Sequence, residues 1–99
     1  MAKLQVIGET KYPKEELTRV IERHLKSKLH EIQRQIMELE ETANKLERKY
    51  AVSWEDFQEK FVKRELGEDA DLDYVEWHAT IELLKELNKE KDLLTEVLS

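Results

Sequence analysis

The chain has 99 residues, a net charge of −6, 40% charged residues, two glycines, one proline and no cysteine. The lack of cysteine excludes a disulfide scaffold and thiolate chemistry, and no apolar run is long enough to span a bilayer. A charged share well above the roughly 25% of average domains, with so little glycine and proline, points to a single helical domain over residues 1–99 with solvated, ion-paired faces.

The charge is unevenly divided. Residues 1–50 hold 11 Lys/Arg and 9 Asp/Glu, whereas residues 51–99 hold 6 and 14. An acidic second half repels phosphates, so nucleic acid is not an expected partner. It suits a basic protein, or the basic N-terminal part of a second copy. The wealth of charge with scarce asparagine resembles the composition of thermophile proteins.

Residues 1–12 read as an N-terminal arm, too polar for a signal peptide, and the expected location is the cytoplasm. Within the arm Leu4 and Val6 alternate weakly with Lys3, Gln5 and Ile7, the pattern of a short β-strand ending at Gly8. A lone strand needs an edge, such as its own symmetry mate. That arrangement resembles the ribbon of ribbon-helix-helix repressors. Those proteins break early into a second helix, however, and no turn signal occurs here before residue 51, so DNA binding through the arm is only an alternative.

The long stretch 13–50 organises the rest. Pro13 suits a helix start, with Glu15 and Glu16 behind it in the first turn. From Leu25 the apolar residues Leu25, Leu29, Ile32, Ile36, Leu39, Ala43, Leu46 and Tyr50 recur at gaps of 4 and 3. This is a 3.5-residue repeat, the signature of a coiled-coil seam. Upstream, Leu17, Val20 and Ile21 keep an apolar stripe but slip out of strict heptads. Thirty-eight helical residues span about 57 Å at about 1.5 Å each, more than any later helix could cover. Leu17, Val20, Ile21 and Leu25 are therefore the candidate self-association ridge, and a homodimer the expected assembly.

A second helix is expected over 54–66. Ser53 is its candidate N-cap, with Asp56 three residues on resembling a capping box. Trp54, Phe57 and Phe61 form a stripe that reads as core, and Gly67 suits the position after the helix end. The run Glu68-Asp69-Ala70-Asp71-Leu72-Asp73 is dense in acid. Aspartates at 69, 71 and 73 invite comparison with a calcium loop, but its sixth and twelfth positions hold Tyr74 and Thr80 rather than Gly and Glu. The favoured reading is an acidic linker that supplies an N-cap from Asp71 or Asp73. Glu68, Asp69, Asp71 and Asp73 are the candidate surface for a basic partner.

A third helix is expected over 72–98, with Tyr74, Val75, Trp77, Ile81, Leu84, Leu87, Leu94, Val97 and Leu98 as its apolar stripe and Leu83 broadening it. Packed antiparallel on the first, it makes an all-α hairpin with the aromatic middle helix plugging the corner. Chemistry is sparse. His24 and His30 lie six apart, off the i, i+4 face that zinc sites use. His78 and Glu82 are one turn apart, as in an ordinary surface contact. No phosphate loop or nucleophile elbow is present, so no enzyme, metal or cofactor is expected.

The segment Tyr50-Ala51-Val52-Ser53-Trp54-Glu55-Asp56-Phe57, then Phe61, Glu65-Leu66-Gly67-Glu68-Asp69-Ala70-Asp71 and Glu76-Trp77, resembles a pattern in small helical prokaryotic antitoxins encoded beside a small toxin. The match covers about 30 residues around the corner, a span that a two-helix turn fills. It implies a non-catalytic role in binding a toxin. The alternative is a structural coiled-coil or scaffold protein with no toxin partner.

Overall fold

The computed structural model describes residues 12–99. Three helices follow one another: α1 (Lys14–Tyr50), α2 (Trp54–Val62) and α3 (Ala70–Leu98). The expected strand over 4–7 lies outside the described residues. The molecule is a rod of 64 × 20 × 18 Å with a radius of gyration of 20.1 Å. A compact chain of this length would have about 13 Å.

α1 begins one residue later than expected, because Pro13 stays extended (φ −58°, ψ 141°) as its N-cap. The Pro13 carbonyl accepts from the Glu16 and Leu17 amides at 3.1 and 3.2 Å. At the other end Ala51 takes a left-handed conformation (φ 56°) and its amide returns to the Glu47 carbonyl. Ser53 then caps α2, its Oγ accepting from the Asp56 amide at 3.2 Å.

Two further boundaries differ from the sequence reading. α2 stops at Val62 rather than 66, and the residue with positive φ is Arg64 (φ 55°), not Gly67. The Glu65 amide bonds the Lys60 carbonyl and the Arg64 amide bonds the Phe61 carbonyl. This 6→1 and 5→2 pair is the Schellman closure, made here without glycine. α3 in turn starts at Ala70 rather than 72. Its N-cap is Asp69, which makes no side-chain cap bond, and Asp71 and Asp73 lie inside the first turn. The backbone closes that end itself, with the Ala70 amide on Gly67 O and the Asp71 amide on Glu68 O.

α1 and α3 run antiparallel. Tyr50 bonds Asp73, Leu46 packs with Trp77, and Ile36 packs with Leu87. Each step back along α1 is thus one step forward along α3. The same count sets Ala43 beside Thr80, Leu39 beside Leu84, Ile32 beside Lys91, Leu29 beside Leu94 and Leu25 beside Leu98. Both helices present a 3.5-residue repeat to the seam, the condition for two helices to stay in contact along their length.

The core has two parts. Near the corner Leu46, Phe57, Ala70 and Trp77 are buried, ringed by Tyr50, Trp54, Phe61 and Tyr74. Further along the rod Ile32, Ile36 and Leu87 form an aliphatic cluster. Phe57 is fully enclosed. Its ring meets Tyr50 edge-on at 4.6 Å and Trp77 at 4.9 Å between centroids. Such aromatic pairs add about 0.5–1.5 kcal/mol beyond their area burial. α2 thereby fastens α1 to α3 at one end of the rod.

Candidate interaction surfaces

The described residues hold three features that bear on function: a polar lock at the corner, an acidic shoulder beside it, and an open apolar end. The lock is Asp73 with Lys49 and Tyr50. Asp73 Oδ2 accepts from Lys49 Nζ and from Tyr50 Oη, each at 2.5 Å. The Asp73 side chain is only 15% exposed while that of Lys49 is 53% exposed. The Lys49 ammonium, and after it the Tyr50 hydroxyl, hold the Asp73 carboxyl below its ordinary value. Burial, then the bond to Asp73, pushes the Tyr50 phenol up. The Asp73 bond likewise raises Lys49. A carboxylate in a helix seam keeps its charge only with such partners. The arrangement holds the Asp73 charge in place at the corner.

Asp73 is therefore separated from the other acidic residues predicted to share its surface. Glu68, Asp69 and Asp71 are exposed. Glu68 and Asp71 line a shallow hollow with Phe61, Arg64, Leu66, Gly67 and Ala70. Among the described residues no group of three or more His, Cys, Asp or Glu is placed to hold a metal ion. His78 stacks on Tyr74 with ring centroids 6.0 Å apart.

At the far end α3 stops beside Leu25, so α1 continues past it over residues 14–24, about 16 Å of helix at about 1.5 Å per residue. On that overhang Val20 is 41% exposed and Ile21 37% exposed, while Leu17 and Leu25 are half-buried. The four residues of the predicted ridge lie together at this end, outside the α1–α3 seam or at its edge.

A second apolar line escaped the sequence reading. Leu72, Val75, Leu83 and Leu93 are exposed on α3, at 79%, 65%, 43% and 58%. The sequence pattern places Val75 in the apolar stripe and Leu83 beside it, whereas both face solvent. The seam positions are instead Ala70, Asp73, Trp77, Thr80, Leu84, Leu87, Lys91, Leu94 and Leu98, recurring at gaps of 3 and 4, which turns the exposed line outward. The signal was present in that spacing but masked by three polar members. Thr80 is buried and satisfies itself, its Oγ1 donating to the Glu76 carbonyl at 2.8 Å.

The described residues form an antiparallel rod of α1 and α3, fastened by α2 at one end, with Val20 and Ile21 exposed toward the other. No protein-family model matches the chain, and comparison with curated proteins and with solved structures gives no match. No helix among the described residues is long and apolar enough to cross a membrane.

Proposed function

We propose that this protein is a non-catalytic binding module of the cytoplasm that works as a two-fold dimer, joined through Leu17, Val20, Ile21 and Leu25. The observation that carries the reading is the overhang. Eleven residues of α1 outrun α3 with Val20 and Ile21 exposed. A surface helix gains little from propensity and is held mainly by burial of an apolar face, so a ridge with Val20 and Ile21 exposed suits contact with a second chain. Two-fold closure is the simplest assembly in which one patch serves both subunits.

The acidic shoulder of Glu68, Asp69 and Asp71 faces solvent beside the corner and suits a basic protein. The resemblance at the corner makes a small toxin the partner class to test. Co-expression with the product of an adjacent gene, followed by pull-down and growth rescue, tests that part. Rescue that survives Glu68→Lys with Asp71→Lys would remove the shoulder from the interface. Sedimentation tests the dimer: a protein that remains a monomer at micromolar concentration contradicts it.

A further inference from the structure

No further inference is drawn: the strongest candidate, the apolar surface patch of Leu72, Val75, Leu83 and Leu93 along the outer side of α3, is an unpartnered helix face, and nothing among the described residues shows what covers it.

Discussion

At its C-terminal end α1 is closed by aromatic rings and a buried carboxylate; at its N-terminal end it runs on past its partner with branched aliphatics exposed. Both ends belong to one continuous 37-residue helix, so the difference does not come from helix propensity. It comes from what the rest of the chain supplies. Near residue 50 the chain turns twice, and α2 delivers Trp54 and Phe57 to the junction. Near residue 20 no described helix remains to be delivered. The contrast separates a packed end from an exposed end, and under the proposed dimer each could be damaged without the other.

The largest effect should come from the closed end. Phe57 is fully enclosed, so Phe57→Ala is expected to cost about 3–5 kcal/mol in denaturant unfolding. Phe61 is half-buried, stacked on Tyr74 at 4.2 Å, and Phe61→Ala should cost less. An equal cost at the two positions would show that the corner is not centred on Phe57. At the open end, Val20→Asp with Ile21→Asp should weaken self-association by about 100-fold or more, the scale of losing an interface hot spot. The near-ultraviolet signal of the aromatic corner should be unchanged. A variant that unfolds globally would erase the proposed separation.

The seam of α1 was legible because all eight of its members are apolar, from Leu25 to Tyr50. That of α3 was obscured because Asp73, Thr80 and Lys91 occupy seam positions. Polar residues there read as solvent-facing, and Val75 and Leu83 were drawn inward to fill the stripe. The partners of those residues lie far away in sequence, as with Tyr50 and Lys49 for Asp73, or in the backbone, as with Glu76 for Thr80. Spacing alone shows none of this. The corner cluster was readable from Trp54, Phe57, Phe61 and Trp77. That α1 outruns α3 was readable from the mismatch in helix lengths.

The lock supplies a smaller effect with a definite pH signature. Asp73→Asn should cost about 1–3 kcal/mol, since it strips charge from two hydrogen bonds in the seam. The folded pKa of Asp73 lies below its ordinary 3.8. Its contribution is therefore present above that value and is lost as pH falls through the folded value, where the unfolded chain binds the extra proton. Tyr50 and Lys49 lie above their ordinary 10.0 and 10.5. Their contribution is complete below about pH 10 and is lost as pH rises through the folded values. The stability gap between the original protein and Asp73→Asn should be flat through neutral pH and shrink at both extremes. A gap that grows in acid would contradict the assignment.

The smallest effects should be gains. Ala51 and Arg64 both sit at φ near +55°, where a side chain is crowded by the following carbonyl and costs roughly 1–2 kcal/mol. Glycine relieves that crowding but leaves the unfolded chain more freedom to lose. Ala51 follows the long α1 and its amide bonds Glu47 O at 2.7 Å, so the left-handed turn there is fixed by a hydrogen bond that glycine keeps. Arg64 closes α2 by the Schellman pair, which glycine also keeps. Both Ala51→Gly and Arg64→Gly should therefore raise stability by about 0.5–1 kcal/mol, the usual net of the two terms. Arg64→Ala is the control, because it removes the guanidinium and retains the Cβ. If Arg64→Ala stabilises as much as Arg64→Gly, the gain belongs to the lost charge beside Lys63 and not to the backbone. If Arg64→Gly destabilises, the Arg64 side chain, which lines the hollow with Glu68 and Asp71, holds the shoulder in place, and the strain at φ 55° is offset there.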